Sequence, residues 1–169
     1  MKKNLVLLGM MAAGKTTLGK IVAKKQELEF VDIDASIEKK NSMSITEIFK
    51  KKGEKFFRME EEKEVLKSLE KDNCVIALGG GAFMNKILRE NILKNTISIW
   101  LEVDIKTLNK RAQWNQKRPL LKEDNNQKKL TELYAERKDV YKLADHKIAC
   151  DGLSKQNIAE KIITLYEKH

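Results

Sequence analysis

The chain has 169 residues, 41% of them hydrophobic, which suits a single domain with a real core. Its net charge is +9, from 34 Lys and Arg against 25 Asp and Glu, yet the lysines mostly alternate with acids, as across 59–64, and only 6% of residues are aromatic. That arrangement excludes a basic surface interleaved with stacking rings, and so argues against nucleic-acid binding; two histidines and two cysteines without C-x-x-C spacing give no metal cluster and read as a protein with buried free thiols.

Met1-Lys2-Lys3 and the mostly apolar stretch 5–13 resemble a short secretory signal. Cleavage after Ala12 or Ala13 would destroy the motif described next, and the stretch is far too short to span a bilayer. It reads as a first core strand, 5–8, with its loop, in a cytoplasmic protein with no membrane partner.

Residues 9–16 follow the pattern G-x-x-x-x-G-K-[ST], with Gly9, Gly14, Lys15 and Thr16 at the fixed positions. Backbone N–H groups of such a turn point at phosphate oxygens, the lysine reaches the outer phosphates, and the hydroxyl of Thr16 suits Mg²⁺. A helix predicted to begin near Lys15 adds its positive end.

The second strand is expected over 30–33 and is followed by Asp32-Ile33-Asp34. A period of two places both carboxylates on one side of an extended segment. One carboxylate then serves the Mg²⁺ hydration shell while the other meets an acceptor hydroxyl as base or orienter; the bland alternative is an acidic turn with Asp34 capping the next helix. Ser44 and Glu47 form a capping box, and a further helix is predicted from Gly53. Within that helix, Arg58 lies seven residues before Val65 and eleven before Leu69, on the inward stripe.

Strand-length apolar runs recur at 74–78, 97–101 and 146–150, separated by helical patterns, so the chain is an α/β fold with a parallel sheet covered on both faces. Gly79-Gly80-Gly81 ends the third run, where glycine permits unusual backbone angles and close approach of a ligand. Only five of the 34 basic residues are arginines, so each one asks where a planar, two-pronged donor is needed. Arg111 ends a helical pattern and is suited to lie against a purine. Arg118 precedes Pro119, the only proline, in a polar stretch that reads as a mobile lid over about 112–124. Arg137 interrupts the apolar face formed by Leu130, Leu133, Tyr134, Val140 and Tyr141. Inward arginines need anionic partners, either an internal pair with Glu61 or the carboxylate or phosphate of a substrate. Ile158, Ala159, Ile162, Ile163 and Tyr166 mark the stripe of a C-terminal helix.

Taken in order, the loop at 9–16, Asp32 with Asp34, Gly53 and Glu54 with Phe57 and Arg58, the triple glycine, the Arg118 to Leu121 stretch, and Arg137 with Tyr141 resemble the shikimate kinases over nearly the whole chain. The resemblance implies one three-layer P-loop kinase domain over 1–169, with a five-stranded parallel sheet, an acceptor-binding region at about 32–61 and a lid. It implies transfer of the ATP γ-phosphate to the 3-hydroxyl of shikimate, with one Mg²⁺ ion, by a cytoplasmic monomer. Ala12, Ala13, Gly14, Lys15, Thr16 and Thr17 would cradle the ATP phosphates, Thr16 would hold the ion directly, and Asp32 through water. Asp34, Arg58, Gly80 and Arg137 would hold shikimate, Lys15, Asp34 and Arg118 would serve the transfer, and Arg111 would flank the adenine. Ala12 stands where such sequences usually have Gly, Asp139 where Pro is common, and Lys155 replaces a frequent Pro. Gluconate kinase and nucleotide kinases are the rival enzymes, sharing loop and fold but expected to differ in the acceptor set.

Overall fold

The computed structural model describes residues 3–113 and 126–169. Five strands, β1 (Asn4–Leu8), β2 (Glu29–Asp32), β3 (Cys74–Ala77), β4 (Thr96–Glu102) and β5 (His146–Ala149), form one parallel sheet in the order β2-β3-β1-β4-β5. Its registers pair Leu5 with both Val75 and Ile97, which makes β1 the central strand. All of β1 and β3 and nearly all of β4 are buried without alternation, as strands covered on both faces must be.

The described helices are α1 (Lys15–Gln26), α2 (Ile33–Asn41), α3 (Ile45–Leu69), α4 (Lys86–Asn95), α5 (Ile105–Gln113), α6 (Asn126–Tyr141) and α7 (Lys155–Glu167), with a 3-10 turn at Ala82–Met84. Packing pairs α1 with β2, β3 and α7, and sets α4 against β4 and α3. The capping box at Ser44 and Glu47 starts α3, with both reciprocal bonds made. Gly53, at φ 83° and ψ 166°, then breaks α3 into two helical stretches, so the turn carrying Arg58 has its own start, as the sequence predicts. The C-terminal stripe buries Ile158, Ala159, Ile162 and Tyr166, and Cys74 and Cys150 are buried free thiols.

Each strand differs from its expected bounds by about a residue, and the end of β2 is the difference that bears on the site. The apolar run 30–33 continues a strand only to Asp32, because the Asp32 side chain accepts from Ala35 N and caps α2, so Ile33 enters the core as a helical residue. Asp32, not Asp34, is therefore the cap, and Asp34 sits in the first turn of α2.

β1 and β3 are neighbours, yet the chain leaving β1 returns at β2 while the chain leaving β3 returns at β4. A crevice opens beyond the carboxyl ends of strands whose connections diverge in this way. The phosphate-binding loop and the glycine tract are the two segments that enter it.

Candidate active site

The loop after β1 takes its shape from three residues with positive φ. Gly9 has φ 143°, and a Cβ there would also stand 2.8 Å from the Leu101 carbonyl oxygen. Ala12 has φ 63° and Gly14 φ 97°. Gly14 is the N-cap of α1 and offers no side-chain cap, and the first turn holds no acid, which leaves the helix's leading N–H groups to an anion. Lys15, buried, donates from Nζ to the carbonyls of Gly9 and Met10, at 2.8 Å each, so its ammonium crosses the loop it serves.

Thr16 Oγ1 donates to Asp32 Oδ2 at 2.6 Å. The other Asp32 oxygen takes the Ala35 N–H at 3.1 Å, so the carboxylate is held from both sides. A hydroxyl and a carboxylate side by side next to a phosphate cradle are oxygen donors of the kind Mg²⁺ uses, since this ion takes one or two protein oxygens and fills its shell with phosphate and water. Among the described residues no cluster of three or more His, Cys, Asp or Glu residues offers a cage of its own.

The glycine tract after β3 faces a second group of charges, collected from α2, α3 and α6. Cβ atoms built on the glycines show how tightly they pack. At Gly79 it would lie 2.7 Å from Glu61 Oε2 and 2.9 Å from Asp34 Oδ1, at Gly80 3.0 Å from Arg137 Nη1, and at Gly81 2.6 Å from Arg58 Nη1. None of the three has a positive φ, so the left-handed backbone that glycine permits is not used here. Glycine is needed here because charged side chains of the protein itself press against the main chain.

Within this group Glu61 is 2% exposed and accepts from Arg58 Nη1 at 2.8 Å, while Glu54 approaches Arg58 Nη2 at 3.5 Å. Burial raises the Glu61 carboxyl above its ordinary range; the neighbouring Arg58 opposes that rise and Asp34 adds to it. Arg137 is 6% exposed, and its Nη1 has no hydrogen-bond partner among the described residues. A buried guanidinium nitrogen in that condition demands an acceptor. The sequence offered Glu61 or a substrate as partner to the inward arginines, and the structure pairs Glu61 with Arg58 while leaving the Arg137 donor turned toward Gly80.

Both groups line a single cleft of about 590 Å³, which brings together Ala12, Ala13, Gly14, Lys15, Thr16, Thr17, Asp32, Asp34, Arg58, Gly80, Arg111 and Arg137. Arg111 Nη1 donates to the Ala12 carbonyl at 3.1 Å, tying α5 to the loop. Arg118 and most of the predicted lid fall in 114–125, outside the described residues.

The family model for shikimate kinase matches residues 11–167. The chain belongs to the shikimate kinase family. It is 40% identical over 162 residues to the shikimate kinase of Sulfurihydrogenibium sp. (strain YO3AOP1), covering 96% of each chain. The shikimate kinase from Acinetobacter baumannii, solved in complex with shikimate, superposes with a TM-score of 0.95 at 32% identity, over 99% of this chain and 94% of that one. A gluconokinase from Sinorhizobium meliloti shares the fold alone, with a TM-score of 0.65 at 12% identity over 99% of this chain and 93% of that one.

The shikimate kinase site has further walls that sequence reasoning passed over. Glu38, Ile45 and Phe49 also line the cleft, and the Phe49 ring sits 4.9 Å from that of Phe57. Ile45 and Phe49 are four residues apart just after a capping box, so in the sequence they look like ordinary core positions. Arg89, the one arginine outside the motifs, donates from Nη1 to the Phe83 and Met84 carbonyls at 3.0 and 3.1 Å, and so serves the turn behind the glycine tract.

Proposed function

We propose that this chain transfers the γ-phosphate of ATP to the 3-hydroxyl of shikimate, giving ADP and 3-phosphoshikimate on the way to chorismate and the aromatic amino acids. The observation that carries the reading is one cleft with a phosphate cradle on one side and, across the end of β3, Asp34 and a guanidinium pair around a glycine floor.

Backbone N–H groups from Ala12 to Thr17 and the ammonium of Lys15 would bind the ATP phosphates and neutralise charge that develops during transfer. Arg58, held by Glu61, and Arg137, with its Nη1 unengaged among the described residues, suit a carboxylate approached from two sides. Asp34 would take the acceptor hydroxyl at its carboxylate and align it for attack, and the backbone of Gly80 would complete the floor. Thr16 would hold Mg²⁺ directly and Asp32 through water, and the ion would offset negative charge on the phosphates. Arg118 is assigned to a lid on the family pattern, and Arg111 to the adenine side. We also assign the whole chain, 1–169, to one kinase domain with its acceptor region at about 32–61, acting as a cytoplasmic monomer; among the described residues no helix is long and apolar enough to cross a membrane.

The deciding experiment is a coupled assay of ADP release with ATP and Mg²⁺, comparing shikimate, gluconate and nucleoside monophosphates side by side. Release that depends on shikimate is expected. Turnover with gluconate or a nucleoside monophosphate, and none with shikimate, overturns the reading.

A further inference from the structure

Tyr141 lies on α6 one helical turn beyond Arg137, so the two side chains share the buried face of that helix. Its ring is fully buried and tilted against Trp100, with centroids 5.8 Å apart. The hydroxyl donates to the carbonyl of Gly80, and Met10 Sδ, in the phosphate-binding loop, lies 3.7 Å from the same oxygen. Tyr141 is not among the residues that line the cleft.

The glycine tract explains why that hydroxyl matters. The Gly79 and Gly81 carbonyls are taken by the backbone N–H groups of Ala82 and Met84, at 3.2 and 3.1 Å. The Gly80 carbonyl points instead to Tyr141, which makes the orientation of this peptide depend on one side chain. On its other side, a Cβ at Gly80 would stand 3.0 Å from Arg137 Nη1 and 3.4 Å from the Met11 backbone nitrogen. A glycine peptide with little steric preference is thus set between the acceptor clamp and the phosphate loop, with tolerances of tenths of an ångström. Burial pushes the Tyr141 phenol up to about 12, with the charge of Arg137 and a hydrogen bond to it pulling the other way.

We propose that Tyr141 is a positioning residue for the acceptor: its hydroxyl fixes the Gly80 peptide between Arg137 and the phosphate loop, and so sets acceptor affinity without touching the acceptor. The inference rests on the kinase reading above.

Tyr141→Phe keeps the ring against Trp100 and removes only the hydroxyl. Losing one such bond, which leaves a half-buried carbonyl without its side-chain partner, is expected to raise the KM for shikimate roughly tenfold, while kcat and the KM for ATP stay within about twofold. A shikimate KM within twofold of the parent overturns the proposal, as does a loss confined to kcat or a parallel rise in both KM values. A parent protein that releases no ADP with shikimate defeats the kinase reading instead. Should the Phe protein not fold, 3-fluorotyrosine in the otherwise unchanged chain supplies a second readout, with Tyr134→Phe and Tyr166→Phe assigning the resonances. The fluorine signal of residue 141 is expected to shift on adding shikimate, and a signal that stays still overturns the proposal.

Discussion

Thr16 Oγ1 stands 2.6 Å from Asp32 Oδ2, a hydrogen bond that spans from the first turn of α1 to the end of β2 across the end of β3, the strand between their sheet positions. It sets a hydroxyl and a carboxylate side by side at the edge of the cleft, oxygen donors of the kind Mg²⁺ uses. Asp32 thus has two duties, capping α2 through one oxygen and facing Thr16 through the other.

Asp32→Asn separates those duties. Asn caps helices about as well as Asp, so α2 is expected to persist while the charge disappears. The Mg²⁺ concentration for half-maximal turnover is then expected to rise on the order of tenfold, the scale of a lost outer-shell contact. An Mg²⁺ titration of ADP release checks this, and an unchanged curve removes Asp32 from the ion's surroundings.

Ala12 occupies the left-handed region at φ 63°, where an L side chain costs roughly 1–2 kcal/mol. Its carbonyl is also the acceptor for Arg111, which holds the loop in that conformation. Ala12→Gly relieves the strain but gives up unfolded-state entropy worth about 0.4–1 kcal/mol, so a net gain of about 0.5–1 kcal/mol is expected. For a chain of this size that corresponds to a rise in Tm of roughly 1–4 °C. Thermal melts of the two proteins test it, and a lower Tm for the Gly variant contradicts the strain argument.

Asp34→Asn removes the carboxylate that shares the Gly79 edge of the acceptor pocket with Glu61. If Asp34 takes or aligns the proton of the acceptor hydroxyl, kcat is expected to fall by about 10² or more with folding intact. Single-turnover kinetics on the variant would show this directly. Near-normal turnover would remove Asp34 from the transfer step.

The phosphate loop was readable because its whole chemistry lies in eight consecutive residues, with strand and helix on either side. The acceptor site was readable only in part. Arg58 and Arg137 betrayed themselves as charges on apolar stripes, and Glu61 as the acid nearby. What joins them is the glycine tract, whose neighbours come from α2, α3 and α6 and so leave no local pattern. Read in isolation, Gly79, Gly80 and Gly81 suggest freedom of φ; in the fold none of them has a positive φ, and the missing Cβ atoms are what counts. The same limit applies to Asp32 and Asp34. Alternation predicted one shared face of a strand, but a cap at Asp32 ends the strand and delivers both carboxylates to the cleft from a helix start.

Glu61 ties acceptor binding to a cost in stability that depends on pH. Burial raises its carboxyl above the ordinary range despite the partnership with Arg58. A carboxyl with a folded pKa above its unfolded value stabilises the fold fully below the unfolded value, and that contribution is lost as pH rises through the folded pKa. Gln cannot titrate, so the stability of the parent relative to Glu61→Gln is expected to be greatest in acid and to decline toward neutral pH. Denaturant melts of both proteins across that range measure the difference, and a constant offset would show that Glu61 titrates alike in both states. Function should move the other way. With its 2.8 Å charged partner gone, Arg58 loses its orientation, and the KM for shikimate of the Gln variant is expected to rise roughly tenfold at neutral pH, the scale of one charge-assisted hydrogen bond. The carboxylate is then kept at its buried position for what it does to Arg58 rather than for what it does to the fold.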